Sequence, residues 1–319
     1  MSTYSQIFGD KINTLASDPA NPIQGQVWFN TATTALKYRG MSSAAWATGG
    51  NMGTARYGLG GAGTQTAGLA FGGGEVKTNT EEYNGATWTA GGNLATGRRD
   101  VSGCGTQTAG LAFGGVSGGT PGVQSAATEE YNGSTWSAGG NLGTGRSGLA
   151  GAGTQTVGLA FGGSVTPKNQ TEEYDGISWT AGGNLGTGRS GLAGAGTQTV
   201  GLAFGGSTGS NTAATEEYDG SAWTAGGNLN TARSSLAGAG TQTVGLAFGG
   251  SAGPLSAATE EYNGSAWANS ANMATARRIL AGAGTQTAGL AFGGYIASNS
   301  AATEEYTGAT GVNKTVTVS

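Results

Sequence analysis

Large apolar side chains alternate with glycine and alanine in a short segment that recurs six times along the chain. In one copy, Val200, Leu202 and Phe204 alternate with small residues. Alternation with a period of two is typical of a β-strand with one packed face. The high density of glycine disfavours a helix. The recurring phenylalanines are Phe71, Phe113, Phe161, Phe204, Phe248 and Phe292.

This strand belongs to a longer repeated unit, which the pattern divides into four strands. In the unit that starts at Arg189, the predicted strands are residues 191–195, 200–204, 215–218 and a segment around Trp223. Asp219-Gly220, between the third and fourth strands, is a strong signal for a tight hairpin. Each of the five complete copies has 36 residues from Thr-Glu-Glu-Tyr to the next Gly-Gly. Such repeats are typical of propellers, solenoids or arrays, and four antiparallel strands per unit favour a β-propeller.

The six units predict an all-β fold, with a six-bladed propeller over residues 35–319 and an N-terminal arm at residues 1–34. The sixth unit lacks a tryptophan after Tyr306. Trp46 precedes Arg56 by the same interval that separates Trp88 from Arg98. The strand around Trp46 is therefore predicted to complete the sixth blade beside residues 303–306. The competing candidate is the alternating segment 312–318, which contains no tryptophan.

Composition narrows the possible function classes. The 319 residues include 14 basic and 18 acidic side chains and no histidine. Histidine is the commonest general base and metal ligand, so its absence argues against an enzyme, a metal site and a cofactor. No basic run of the kind that follows phosphates is present, which argues against nucleic-acid binding. No apolar run approaches the ~18 residues of a membrane span, and the first residues lack the apolar core of a signal peptide.

The charged residues recur with the repeat. Twelve of the acidic residues form six Glu-Glu pairs in the third strands. Adjacent strand residues point to opposite faces, so a pair is not a catalytic dyad. A ring of metal or sugar sites is one interpretation, but structural ion pairs with the repeated arginines are favoured because every unit contains them. The residues predicted to pair are Arg56, Arg98, Arg146, Arg189, Arg233 and Arg277 with Glu82, Glu130, Glu173, Glu217, Glu261 and Glu305.

The order of these features resembles the kelch repeat: an arginine, a small apolar strand, a strand ending in Gly-Gly, a tyrosine, a tryptophan and the next arginine. The resemblance covers residues 38–306 and implies a propeller fold. Thr-Glu-Glu-Tyr, the glycine-rich first strand and residues 25–31 also look like kelch-type proteins of tailed bacteriophages. That second resemblance implies a virion protein of the tail or head, assembled in the host cytoplasm. It also implies other virion proteins as partners, attachment through residues 1–34 and a homo-oligomer within the particle.

The connections between the second and third strands are the segments that vary in length. Alternating strands place all of them on one face, and loops on a rigid scaffold are where binding normally resides. The longest is residues 116–127, with 12 residues where the others have six to eight. The residues predicted to bind a host-surface glycan or protein are Val116, Thr120, Pro121, Val123, Gln124, Val165, Pro167, Lys168, Asn169 and Gln170.

Two alternatives remain open for these faces. Neutral drift at exposed tips also produces length variation, and would leave a structural or decoration protein of the particle without a ligand. The opposite face repeats Gly-Thr-Gln-Thr in all six units. That uniform face is suited to a symmetric partner, which needs repeated contacts.

Overall fold

A computed structural model describes residues 12–118 and 122–316, and within them the chain is all-β, without a helix. The strands form seven four-stranded sheets and one two-stranded sheet. The described residues fall in two compact units, one within Met1–Ala45 and Gly308–Ser319, the other within Trp46–Thr307. Each unit is described separately below.

The first unit contains one sheet, with strand order β1-β2-β3-β30. The strands are β1 (Asn13–Leu15), β2 (Val27–Asn30), β3 (Ala35–Met41) and β30 (Gly311–Thr315). The predicted boundary between residues 34 and 35 therefore falls inside this sheet, between β2 and β3. The alternating segment near the C-terminus pairs with β3 and does not supply the missing strand of the sixth repeat.

A half-buried carboxylate, that of Asp18, joins the strands of this first sheet. Trp28, Asn30 and Lys37 donate hydrogen bonds to Asp18 at 2.6–3.1 Å, and Asn313 of β30 donates a further one. These bonds, that from Asn30 first, hold the pKa of the Asp18 carboxyl well below its usual range. The carboxylate thereby ties the C-terminal strand to the N-terminal ones.

The second unit contains six four-stranded antiparallel sheets, numbered 1 to 6 in the order of their first strands. The first strands are β5 (Gly60–Gly63), β9 (Ser102–Gly105), β15 (Ala150–Gly153), β19 (Ala193–Gly196), β23 (Ala237–Gly240) and β27 (Ala281–Gly284). The second strands are β6 (Gly68–Phe71), β10 (Gly110–Phe113), β16 (Gly158–Phe161), β20 (Gly201–Phe204), β24 (Gly245–Phe248) and β28 (Ala288–Phe292).

The outer half of each sheet consists of the third and fourth strands. The third strands are β7 (Thr80–Tyr83), β13 (Thr128–Tyr131), β17 (Thr171–Tyr174), β21 (Thr215–Tyr218), β25 (Thr259–Tyr262) and β29 (Thr303–Thr307). The fourth strands are β8 (Trp88–Ala90), β14 (Trp136–Ala138), β18 (Trp179–Ala181), β22 (Trp223–Ala225), β26 (Trp267–Asn269) and β4 (Ala45–Thr48). A separate hairpin is formed by β11 (Val116–Ser117) and β12 (Val123–Gln124).

The strand around Trp46 occupies the place predicted for it, because β4 pairs with β29 at the outer edge of sheet 6. The Trp46 ring lies 5.0 Å from Tyr306 and 5.2 Å from Phe248, between ring centroids. Sheet 6 is thus completed by a strand that precedes sheet 1 in the chain. Repeated four-stranded antiparallel sheets with this order fit a β-propeller.

Phenylalanine side chains fill the space between neighbouring sheets. Phe204, at the end of β20, is fully buried. A Cβ on Gly238, in the first strand of the next sheet, would lie 2.5 Å from the Phe204 ring. The same close approach recurs from Phe248 to Gly282 and from Phe292 to Gly61. The central glycine of each first strand is therefore required for packing between sheets.

Two details of the predicted strands are corrected. The first strand of sheet 4 was expected from residue 191, but it begins at Ala193, because Gly191 has a positive φ of 61°. Val200 was expected to pack with Leu202 and Phe204. It lies outside β20 and is 45% exposed, in the turn between the first two strands.

Candidate functional site

The repeated arginines pair with strand glutamates, but their partners are not the ones that were predicted. Each buried guanidinium lies 2.6–3.2 Å from the first glutamate of Thr-Glu-Glu-Tyr in its own repeat. The partners are Glu81, Glu129, Glu172, Glu216, Glu260 and Glu304, in place of the expected Glu82, Glu130, Glu173, Glu217, Glu261 and Glu305. The arginine is on the connection before the first strand, and only the first glutamate faces that connection.

The second glutamate of each pair instead joins two sheets. Glu130 accepts a 2.6 Å hydrogen bond from the Tyr174 hydroxyl of the next sheet, and Glu173 accepts one from Tyr218. The pattern recurs six times and includes Tyr83 with Glu305, between sheets 1 and 6. The strand tryptophans make a parallel set of bonds, such as that from Trp223 Nε1 to Thr171. The repeated polar residues are thus occupied by structural contacts.

We expect the tyrosines in these contacts to ionise at a higher pH than free tyrosine does. Burial, and then the hydrogen bond to Glu130, raises the pKa of Tyr174 to about 12. The pKa values of Tyr83, Tyr131, Tyr218 and Tyr262 rise to about 12 for the same reasons. A raised folded-state pKa stabilises the fold below the unfolded value of about 10, and the contribution is lost as pH rises through 12.

Ultraviolet titration of the native chain should therefore show a tyrosine transition near pH 12, which moves to about 10 on unfolding. Glu130→Ala should move one tyrosine of that group to lower pH. A native titration complete by pH 11 would contradict the Tyr-Glu contacts.

Six backbone groups form a ring of hydrogen bonds just before the first strands. Each N–H of this series donates to the carbonyl oxygen of its neighbour from the preceding sheet at 2.6–3.1 Å, and Gly58 donates to Ile279, which returns the series to its start. All six residues have φ between 50° and 61°. The residues are Gly58, Asp100, Gly148, Gly191, Ser235 and Ile279. The left-handed conformation is uncommon for non-glycine residues and is costly above all for the β-branched Ile279.

This hydrogen-bonded ring surrounds a central cavity of about 300 Å³. Its lining includes Asp100, Ile279 and six serines. The leucines and one valine that immediately precede the first strands also line it. The serines are Ser147, Ser164, Ser190, Ser207, Ser234 and Ser235. Below it, a second cavity of about 130 Å³ is lined by the first strands of all six sheets. The lining is thus partly repeated, with a leucine from five of the six sheets, and partly variable, with Asp100, Ser235 and Ile279 at ring positions that are glycine in the other three sheets.

The central cavity opens on the face that carries the variable segments. The residue before each ring position bonds to the first residue of a variable segment, as Ser190 does to Ser207 and Arg278 to Tyr295. On the side of sheets 6 and 1, Tyr57 and Tyr295 meet edge to face at 5.8 Å, and Arg278 lies 5.5 Å from the Tyr295 ring. Tyr57 and Arg278 directly precede the lining residues Gly58 and Ile279, so this aromatic and cationic group lies next to the cavity without lining it.

The residues predicted to bind a ligand are only partly brought together. Val116 is buried and pairs with Gln124, and Gln124 Oε1 accepts a hydrogen bond from Ser164 of the next variable segment. Val123 is 68% exposed. Thr120 and Pro121 lie outside the described residues.

The second predicted group is largely structural. Gln170 Oε1 accepts a hydrogen bond from buried Arg146, and Asn169 Nδ2 donates to the Leu185 carbonyl. Pro167 is exposed, while Val165 and Lys168 are half-buried. The five residues from Val165 to Gln170 that were predicted do not line the central cavity. That cavity is the feature the prediction missed. The sequence does mark the cavity, because the two positions that follow each repeated arginine vary between repeats, as in Arg99-Asp100 and Arg278-Ile279.

The opposite face owes its uniformity to structural bonds. Gln198 donates to the carbonyl oxygens of Gly158 and Tyr174 in the preceding sheet, and its five equivalents do the same. A cavity of about 330 Å³ on this face is lined by Glu261 and Gln286 among others. Its volume matches that of the central cavity, but those two polar groups are already occupied.

Within residues 12–118 and 122–316, no three His, Cys, Asp or Glu side chains are grouped as a metal site would require. No helix in that part of the chain is long and apolar enough to span a membrane. No protein-family model matches the chain, and no curated protein matches its sequence.

Proposed function

We propose that this chain is a non-enzymatic binding module, whose ligand site is the central cavity together with the variable segments around it. One observation carries the proposal: the cavity is lined in part by positions that differ between repeats, among them Asp100, Ser235 and Ile279, whereas the repeated charged and aromatic residues are occupied in structural contacts. Binding pockets are concave, largely pre-formed and lined by a few placed polar groups, and this cavity has those features.

The fold part of the proposal is a closed six-bladed propeller of the kelch type. It is supported by the hydrogen bond that the Gly58 N–H donates to the Ile279 carbonyl, and by the packing of Phe292 against Gly61. The residue order that resembles the kelch repeat supports the type. A closed propeller leaves only short strand edges, which suits a rigid platform for a binding face.

The biological part of the proposal rests on the resemblance to phage proteins. In it, the chain is a virion component that presents the variable face to a host-surface ligand and contacts other virion proteins. The absence of histidine in the sequence removes the usual general base, which favours binding over catalysis.

The proposal is tested with one variant on each face. Gly148→Asn places a side chain in the central cavity, where a Cβ would meet nothing within 3.4 Å, and Asn tolerates positive φ. Val200→Asn changes the exposed opposite face. Both variants and the parent chain are applied to an array of neutral glycans, acidic glycans and peptides.

We expect a bound probe to be lost by Gly148→Asn and retained by Val200→Asn. Loss only in Val200→Asn would place binding on the uniform face and refute the proposal. Binding to none of the three probe classes would favour a structural or decoration role, because the variable segments would then differ only by drift.

A further inference from the structure

The central cavity holds one carboxylate whose hydrogen-bonding capacity is free. Among the described residues, no donor bonds to the Asp100 side chain, and its closest cation is Arg99, with Nε 3.7 Å from Oδ2. The carboxylate is only partly exposed, at 31% of its side-chain surface. It lies over Gly58, where an added Cβ would come within 2.6 Å of Oδ1. Asp100 therefore lines the cavity beside a glycine, with carboxylate oxygens that accept no hydrogen bond from the described residues.

Asp100 also keeps a backbone conformation that glycine would adopt more easily. Its φ is 50°, and three of the six ring positions are glycine. Asp is among the non-glycine residues that adopt this region most readily, so Asp100→Gly should leave the backbone of the ring unchanged.

The rest of the lining indicates a neutral partner with many hydroxyl groups. Serine hydroxyls both donate and accept hydrogen bonds, and serines contribute to the cavity from sheets 3, 4 and 5. Arg99 beside Asp100 offsets the only carboxylate, so the lining does not favour an ion of either sign. The leucine side chains can pack against the C–H face of a ligand ring, while the Asp100 carboxylate and the serine hydroxyls can form hydrogen bonds with the O–H groups of that ligand.

The tyrosines at the opening extend the same surface. Tyr57 precedes Gly58, which lies against Asp100, and its ring meets Tyr295. Both rings are half-buried. A tyrosine combines an apolar ring with a hydroxyl group, so it is suited to a ligand with one apolar face and one hydrated face. The opening can therefore contact a second unit of a ligand whose end occupies the cavity.

We propose that the central cavity binds the end of a neutral glycan, with Asp100 accepting hydrogen bonds from the hydroxyls of the terminal sugar and Tyr57 and Tyr295 contacting the next sugar. This inference rests on the proposed function, because it places the ligand at the same cavity. It makes Asp100 a specificity-determining residue, since a carboxylate left without donors disfavours ligands that lack hydroxyls.

The test uses the full chain and saturation-transfer NMR with neutral mono- and disaccharides at millimolar concentration. At least one should bind, and a disaccharide should bind more tightly than its terminal sugar alone. Asp100→Gly should weaken that binding tenfold or more, because the carboxylate acceptor is lost. The variant should fold, because three of the six ring positions are already glycine. Asp100→Asn keeps the shape and should give a smaller loss. Asp219→Asn is the control, because it removes a carboxylate from the hairpin between the third and fourth strands, on the opposite face. Asn84 is the equivalent residue in another repeat, so this variant should bind the sugar as the parent chain does.

The outcomes separate this inference from the proposed function. No transfer to any neutral sugar, or sugar binding unchanged by Asp100→Gly, would overturn the inference. If a peptide or charged sugar binds instead and depends on Asp100, the glycan class is wrong while the binding site stands. If a sugar binds, survives Asp100→Gly and Gly148→Asn, and is lost in Val200→Asn, the site and the proposed function are both wrong. Thermal unfolding of each variant checks that it is folded.

Discussion

Arg233→Ala is expected to lower the free energy of unfolding by about 3–5 kcal/mol, the usual cost of removing one partner from a buried ion pair. Arg233 is fully buried, and its Nη2 lies 2.8 Å from Glu260, which is 1% exposed. Its Nη1 also donates to the carbonyl oxygens of Gly249 and Ala258 at 2.8 and 2.7 Å. The substitution therefore leaves the buried Glu260 carboxylate without its cation and the Gly249 carbonyl without this donor, while the Ala258 carbonyl keeps only the hydrogen bond from the Gly249 N–H.

The measurement is denaturant unfolding of the parent chain and three variants. Arg278→Ala is the matched control, because this arginine is exposed and a surface change usually costs within about 0.5 kcal/mol. Arg233→Met combined with Glu260→Gln should recover part of the loss, because no buried charge then lacks a partner. A loss of under 1 kcal/mol for Arg233→Ala would mean that solvent reaches the pair.

The sequence alone was sufficient for most of the repeat. Alternation in the second strands and the Asn-Gly or Asp-Gly hairpins predicted sheets whose strands agree with the structure to within about two residues. The main shift, at Gly191, arose because the left-handed ring position reads in sequence as part of a small apolar strand. Glycine supports either conformation, so only the tertiary hydrogen bonds to Gly148 and Ser235 decide between them.

The partners of the charges could not be assigned in the same way. Glu216 and Glu217 are adjacent, and a strand presents them to opposite faces. Which one meets Arg189 depends on the path of the preceding connection, and which one meets Tyr262 depends on the next sheet. Both are long-range relationships that the spacing within one repeat does not contain.

The central cavity was missed for a related reason. Its ring brings together single positions from six different repeats, and no local pattern marks such a set. The variable loops were more conspicuous because their length changes, yet residues such as Asn169 and Gln170 proved to hold the loop to the sheet. A difference in side chain at a fixed length, as at Asp100 and Ile279, was the better indication of the cavity.

Trp46→Ala should lower the free energy of unfolding by about 3 kcal/mol, the lower end of the range for truncating a core tryptophan, because Trp46 is half-buried whereas Trp223 is buried. The Trp46 ring packs on Phe248 and Tyr306, and its Nε1 donates to Thr259 at 3.0 Å. Trp223 has the same contacts in sheet 4, to Phe161, Tyr218 and Thr171. The two tryptophans differ in that the strand of Trp46 reaches sheet 6 from the opposite end of the repeat array.

Comparison of Trp46→Ala with Trp223→Ala therefore tests whether the N-terminal strand holds sheet 6 as firmly as a strand from the same repeat does. Similar losses in denaturant unfolding are expected, with Trp46→Phe costing less than either because the aromatic packing survives. If Trp46→Ala costs under 1 kcal/mol while Trp223→Ala costs about 3–5 kcal/mol, the strand of Trp46 is not docked in solution. Sheet 6 would then end at β29 with an open edge, a site for pairing with another chain, and the closed six-bladed arrangement would have to be abandoned.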